Sequence, residues 1–100
     1  MISVVLATYN EEKNIERCLS AVKDFADEII VVDGSSEDNT GELAQELGAE
    51  VIKTSNKPNF HINKQMAMDR AQGDLILQLD ADEVVDQELA EFIKTTHQQL

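Results

Sequence analysis

The sequence has a single cysteine, Cys18, in one hundred residues. No disulfide can form within it, a pattern that suits a reducing cytoplasm. Cations are scarce as well: eight Lys and Arg stand against twenty Asp and Glu, for a formal net charge of −12. So acidic a chain disfavours nucleic acid and anionic membrane as partners, and a phosphate ligand would have to be met by a metal, by backbone N–H groups or by a few local cations. No apolar run approaches the roughly 18 residues that cross a bilayer. The opening Met1-Ile-Ser-Val-Val-Leu-Ala7 carries no basic segment and reads directly as a strand, so no signal peptide is expected. Repeats and low-complexity segments are missing, and the only proline, Pro58, falls in a loop.

What is present is ordinary for one globular domain: 42% hydrophobic and 28% charged residues, in a length that buries roughly two thirds of the unfolded surface. Ile2 to Ala7 is apolar without alternation, as in a central strand covered on both faces. Thr8-Tyr9-Asn10 follows, with Asn10 read as a helix N-cap and Glu11-Glu12 in the first turn. Ile15, Cys18, Leu19, Val22, Phe25 and Ala26 then mark one apolar helix face; Cys18 lies mid-stripe and reads as core. Glu28 to Asp33 is a second buried strand. Gly34 to Asn39 is turn chemistry, and a second helix runs to about Leu47, with Gly48 as its left-handed C-terminal residue. Glu50 to Thr54 is a third strand near an edge, and Ser55 to Asn59 a loop. A third helix over Ile62 to Gln72 is expected to bury Ile62, Met66 and Ala67 along a stripe that ends at Arg70. Its methionines, Met66 and Met68, would fill gaps against the sheet, and Gly73 would close it. A fourth apolar strand, Leu75 to Leu79, precedes a last helix capped by Asp86, with the stripe Leu89, Phe92, Ile93, Thr96 and Leu100. His97 in its last turn reads as inert.

The alternation β-α-β-α-β-α-β-α predicts an α/β fold of three layers around a mainly parallel sheet. An order of 3-2-1-4 would reverse between the first and fourth strands, and ligands sit at such reversals, outside the carboxyl ends of the strands. Thr8-Tyr9, Asp33 and Asp80-Ala81-Asp82-Glu83 all fall at carboxyl ends. Three carboxylates within four residues repel one another, and a hard divalent cation, Mg²⁺ or Mn²⁺, is the usual remedy. Mg²⁺ takes one or two protein carboxylates plus phosphate oxygens, which makes a diphosphate a natural third party. The plainer alternative is a solvated acidic loop ahead of the last helix, with Glu83 as a capping acid.

Four stretches together resemble the family 2 glycosyltransferases, whose nucleotide-sugar-binding fold is called GT-A. They are Ser3-Val-Val-Leu-Ala-Thr-Tyr-Asn-Glu-Glu12, Ile29-Ile-Val-Val-Asp-Gly-Ser-Ser-Glu-Asp-Asn-Thr40, Asn63-Lys64 with Ala71-Gln-Gly-Asp74, and Leu79-Asp-Ala-Asp-Glu83. The resemblance implies a nucleotide-diphosphate sugar donor, UDP-linked, held by Ala7, Thr8, Tyr9, Asn10, Glu11, Asp33, Ser35, Lys64, Asp80 and Ala81. Within that set Asp33 would accept from the N3–H of uracil, Tyr9 would lie against the base and Asp80 would reach the ribose. Asp82, with Asp80, would hold the divalent metal, Mn²⁺ or Mg²⁺. Lys57, His61 or Lys64 would meet the phosphates. The Asp-Ala-Asp-Glu and Asp-Gly-Ser-Ser forms look most like enzymes of bacterial lipopolysaccharide-core and cell-surface glycan assembly, which implies a hexosyltransferase of the cytoplasm or the inner face of the membrane.

Family 2 domains usually run to more than twice this length. Residues 1–100 therefore look like a single nucleotide-sugar-binding half, truncated before the half that supplies the glycan or lipid-linked acceptor site and the general base. No catalytic base is assigned within them, and self-association through the last helix or a free sheet edge is expected. Two other classes stay open. One is a non-catalytic nucleotide-sugar or metal-binding module completed by another chain. The other is a phospho-acceptor receiver, which would need an acidic residue at the end of the third strand where Val51-Ile-Lys-Thr54 has none.

Overall fold

The computed structural model describes residues 1–55 and 59–99. Four strands, β1 (Ile2–Thr8), β2 (Glu28–Asp33), β3 (Glu50–Lys53) and β4 (Leu75–Gln78), alternate with four helices, α1 (Ile15–Val22), α2 (Thr40–Glu46), α3 (Phe60–Arg70) and α4 (Gln87–Gln98). The strands form one parallel sheet in the order β3-β2-β1-β4, as the alternation predicts. All seven residues of β1 are buried, because it has a strand on each side and helices on both faces. Ile2, Val4 and Leu6 face a core shared with Ile15, Cys18, Leu19 and Val22 of α1, Ala44 of α2 and Ile93 of α4. On the other face Val5, Ile30 and Val32 meet Ala67 of α3. Each large aliphatic side chain fully withdrawn here, such as Leu6 or Ile30, contributes roughly 1.5–3 kcal/mol.

Several boundaries and faces differ from those expected. The first helix begins at Ile15, with Asn14 as its cap residue, and not after Asn10. Asn10 adopts φ 55°, a left-handed conformation that Asn tolerates, and its side-chain oxygen accepts from the Glu37 N–H at 2.8 Å. It ties two loops together in place of capping a helix. α3 is capped by Asn59, whose side chain accepts from the Ile62 N–H at 3.3 Å, and it turns Asn63 and Ala67 to the sheet. Ile62, Met66 and Met68 are exposed, so the methionines fill no gap. The small Ala67 and Ala71 let the helix approach Val5, Ile30 and Val32, and that stripe displaces the larger but more widely set one.

The same substitution of faces occurs in α4. Asp86 caps it as expected, accepting from the Leu89 N–H at 2.8 Å, but only Ile93 is fully buried. Ala90 packs beside it, while Leu89 and Phe92 are 45% and 67% exposed and Thr96 is half-buried; Leu100 lies outside the described residues. His97 is not inert. Its Nε2 stands 2.9 Å from Asp74 Oδ1 and 3.1 Å from the Met1 amine, which itself donates to Asp74 Oδ1 at 2.6 Å. The Met1 ammonium, then the imidazole, hold the Asp74 carboxyl well below the usual carboxylate range. β4 is also less enclosed than its apolar run suggests. Leu75 and Leu77 pack on the core, but Ile76 is 40% exposed on the other face, where α3 lies mainly over β1 and β2.

The amino ends of the strands are stitched by polar groups. Asp27 accepts from the Ile2 N–H at 2.6 Å, Glu28 accepts from the Gln72 N–H at 2.6 Å and from the Ser3 hydroxyl, and Ser3 Oγ accepts from the Gly73 N–H at 2.8 Å. Gly48, at φ 93°, ends the α2 segment as expected. Gly73 does not end α3, which stops at Arg70 with Ala71 extended. Its role is close approach: a Cβ there would lie 2.5 Å from Ser3 Oγ and 2.6 Å from the Met1 carbonyl oxygen. Gly73→Ala is therefore expected to cost about 1–3 kcal/mol by overpacking, read as a lower urea midpoint at unchanged slope. Gly48→Ala meets no atom within 4 Å and loses about 1–2 kcal/mol to backbone strain alone. Undiminished stability of Gly73→Ala would show that the Ser3 seam yields without cost.

Candidate functional site

The carboxyl ends of β1 and β2 meet at the register pair Thr8 and Asp33. Asp33 is only 2% exposed, and a buried carboxylate persists only when hydrogen-bonded. Its Oδ1 accepts from the Thr8 hydroxyl at 2.7 Å and the Ser36 hydroxyl at 2.6 Å, and its Oδ2 from the Ser36 N–H at 2.9 Å. The turn after β2 is fixed from both sides. Gly34 N–H donates to the Thr8 carbonyl at 2.9 Å and Thr54 N–H to the Asp33 carbonyl at 2.8 Å. Ser35 takes φ 65°, and its hydroxyl donates to the Thr54 carbonyl oxygen. Ser35 thus anchors the turn to the end of β3, which occupies the hydroxyl that the resemblance offers to a nucleotide.

Loop 9–14 is laced to loop 34–40 by reciprocal bonds. Asn10 N–H donates to Ser36 Oγ at 2.8 Å, Glu11 N–H to Thr40 Oγ1 at 2.8 Å and Glu12 N–H to Asp38 Oδ2 at 3.2 Å, while Asn39 N–H donates to Glu12 Oε2 at 2.8 Å. Burial would raise the Asp38 carboxyl, but the Thr40 hydroxyl and N–H and the Glu12 N–H outweigh it and hold that group below its usual value. Ser36, Asp38 and Thr40 lie within the Ile29 to Thr40 motif stretch, but the sequence gives none of them a role of its own. Their signal was the density of Ser, Asp, Asn and Thr, the residues that bond neighbouring backbone.

Between the carboxyl ends of β1 and β4, where strand order reverses, lies a cleft of about 300 Å³ lined by Ala7, Glu11, Phe60, Lys64, Asp80, Ala81 and Asp82. Six of these seven are among the residues the sequence singles out; Phe60, at the first position of α3, was missed. Lys64 reaches across from α3, with Nζ 3.2 Å from Asp80 Oδ1. The chain turns at once after β4: Asp80 N–H donates to Glu83 Oε1 at 2.8 Å, and Glu83 N–H to the Asp80 carbonyl at 2.9 Å. Glu83 therefore caps this turn, while Asp86 caps the helix. Asp80 and Asp82 are exposed. Tyr9 is half-buried and His61 exposed, and neither lines the cleft; Lys57 lies outside the described residues.

The donor set suits a hard cation held jointly with a ligand. Two aspartates one residue apart face open space, and among the described residues no group of three Asp, Glu, His or Cys is gathered closely enough to hold a metal by itself. That is the pattern for Mg²⁺ or Mn²⁺, which fill their remaining positions with water and phosphate oxygens. Cys18 beneath the turn is no competing ligand. Burial, with the charges of Glu83 and Asp82 added, pushes its thiol up to about 11, and its Sγ lies 3.8 Å from the Asp80 carbonyl oxygen. A larger cleft, about 430 Å³, separates α1 from α4. No strand end contributes to it, so it lacks the convergence that marks the smaller one.

The family described as Glycosyl transferase family 2 matches residues 3–98. An uncharacterized glycosyltransferase of Rickettsia prowazekii (strain Madrid E) is 41% identical over 103 residues, covering 98% of this chain and 34% of the relative. A dolichol-phosphate mannosyltransferase of Pyrococcus furiosus is 35% identical over 89 residues, covering 81% of this chain and 25% of its own length. The chain thus spans about a third or less of these relatives. Among solved structures, residues 1–349 of S. aureus TarS superpose with a TM-score of 0.85 at 25% identity, over 98% of this chain and 32% of that one. Glucosyl-3-phosphoglycerate synthase from Mycobacterium tuberculosis, in complex with Mn²⁺, uridine diphosphate and glucosyl-3-phosphoglycerate, gives 0.71 at 28% identity, over 81% of this chain and 33% of that one. With the sheet order, the strand-end carboxylates and a family match from the first strand to the last helix, this chain belongs to glycosyl transferase family 2.

Proposed function

We propose that residues 1–100 form the donor-binding portion of a metal-dependent glycosyltransferase that takes a nucleoside diphosphate sugar, UDP-linked. The observation that carries this reading is the cleft at the reversal of strand order, where Lys64, Asp80 and Asp82 meet the end of β1, with the buried Asp33–Thr8 pair at the adjoining carboxyl ends of β1 and β2. Support for the ligand class comes from the Mycobacterium tuberculosis synthase, a structural neighbour whose crystals hold Mn²⁺ and uridine diphosphate.

Each residue has work that its surroundings permit. A carboxylate has about four acceptor positions; Thr8 and Ser36 fill three on Asp33, leaving one on Oδ2 for the N3–H of uracil. The Thr8 and Ser36 hydroxyls hold the carboxylate plane in place, so it is oriented before the base arrives. Tyr9, half-buried in the following loop, lies against the base, and Asp80 reaches the ribose. Asp82, assisted by Asp80, would hold the divalent cation, which as a Lewis acid would stabilise the diphosphate charge that develops when the sugar leaves. Glu83 and Asp86 each accept one backbone N–H as turn and helix caps, and no motif assigns either of them as the base that deprotonates an acceptor. We place the glycan or lipid-linked acceptor site and that base outside these hundred residues, and the work of the whole protein in cell-envelope glycan assembly at the inner face of the membrane. Among the described residues no helix is long and apolar enough to cross one.

Calorimetric titration with UDP, with and without Mn²⁺, tests the reading. The unmodified chain is expected to bind UDP more tightly with Mn²⁺, and Asp82→Asn to lose that dependence while keeping the native circular dichroism. Metal dependence that survives in Asp82→Asn would remove the residue from the site. UDP is also expected to bind tenfold or more tightly than CDP, since a hydrogen bond to a charged acceptor contributes about 1.5–3 kcal/mol and cytosine has no N3–H to donate. Equal affinity for the two would show that Asp33 does not read that edge.

Exposed Leu89 and Phe92 on α4 and the unpaired outer edges of β3 and β4 also favour self-association of the hundred-residue chain. Its charge of −12 opposes contact between copies, so added salt is expected to raise the scattering mass by screening. A monomer at every salt concentration would dispose of this expectation.

A further inference from the structure

Among the described residues lining the cleft between β1 and β4, Lys64 is the one cation, set among Glu11, Asp80 and Asp82. Its ammonium is bonded to Asp80 at 3.2 Å and its side chain is two-thirds withdrawn from solvent. The backbone beneath it is fixed, because its neighbours Asn63 and Ala67 are the residues α3 buries on the sheet. What can move is the four-carbon stem, which carries a compact point charge through a wide arc. With three carboxylates and one ammonium the cleft carries a formal −2, which a divalent cation would neutralise. Yet one of the two aspartates that would greet such a cation is already engaged. Free metal entering alone would share Asp80 with Lys64 and place a dication beside its ammonium, and like charges at that range repel strongly.

We propose that Lys64 is a resident counter-cation that holds Asp80 in the empty site and turns to the phosphates when a nucleoside diphosphate arrives with its divalent metal. The exchange would conserve ion pairs: Asp80 would be released to the metal, and Lys64 would gain the diphosphate oxygens as a charge-assisted partner. The site thereby discriminates against bare divalent cations and admits metal and nucleotide together. This rests on the donor-binding reading above and adds to it an order of events and a double role for one residue.

The two roles give Lys64→Met effects of opposite sign. Mn²⁺ alone, followed by the electron paramagnetic resonance of the free ion, is expected to bind about two- to fivefold more tightly to Lys64→Met, the size of an ion pair that no longer competes. UDP at saturating Mn²⁺ is expected to bind the same variant about tenfold more weakly, the loss of one charge-assisted hydrogen bond. Lys53→Met removes the same unit charge from a pair with Glu42 on the far edge strand and is expected to leave both affinities unchanged, which separates the local exchange from general charge reduction. Lys64→Gln is expected to repeat both signs and serves if the methionine variant does not fold. Unchanged or weaker Mn²⁺ binding in the Lys64 variants, or unchanged UDP binding, overturns the exchange while the donor site stands. Absence of metal-dependent UDP binding in the unmodified chain overturns the donor-site reading itself.

Discussion

A carboxylate withdrawn from water must be given hydrogen-bond donors, and Asp33 at the end of β2 is such a group. Its donors come from two directions, the Thr8 hydroxyl on the neighbouring strand and both donor groups of Ser36 on the turn ahead. Once these are in place little freedom remains nearby. Ser36 Oγ also accepts from Asn10, Asn10 accepts from Glu37, and Glu11 and Glu12 are pinned to Thr40 and Asp38. One buried charge thus determines the path of both loops at the carboxyl ends of β1 and β2. Breaking such a network leaves unsatisfied groups that cost about 1–3 kcal/mol each, so loops 9–14 and 34–40 act as one rigid rim.

The two ends of the sheet are organised for different ends. At the amino ends, Asp27, Glu28 and Asp74 are spent on backbone N–H groups, the Ser3 hydroxyl, the Met1 ammonium and His97. These contacts tie α4 and the turn before β4 to the start of β1. At the carboxyl ends of β1 and β4 Asp80 and Asp82 are left exposed beside a half-buried Glu11, with one lysine among them. An acidic chain could have hidden its charges anywhere on its surface. Here the acids at the amino ends hold the scaffold, and the exposed Asp80 and Asp82 sit where the strand order reverses. That division also explains the inert thiol: Cys18 supports the acidic turn from below, and burial together with the turn's own charges keeps it protonated.

The sequence by itself determined the layered, parallel α/β class and the family, because each follows from features written along the chain; the expected order β3-β2-β1-β4 was decided by the fold. The long apolar run of β1 reads as a central strand, β-α alternation favours right-handed parallel crossovers, and the four motif stretches are each contiguous in sequence. It also placed Asp33 and Asp80 to Asp82 at strand ends, since strand length and turn residues are local. What only the tertiary structure decided were matters of facing and partnership. In α3 the sheet takes Asn63 and Ala67 of the helix and leaves Ile62 and Met66 outside, and in α4 Ile93 is buried with Ala90 partly so, while Leu89 and Phe92 stay exposed. Asn10 and Gly73 carry letters that read locally as a cap and a terminator. Their roles are set by Glu37 and Ser3, residues 27 and 70 positions away. The pairing of Lys64 with Asp80 is likewise invisible along the chain. Hydrogen bonds and ion pairs depend on distances that only the folded sheet creates, whereas hydrophobic periodicity is already present in the order of residues.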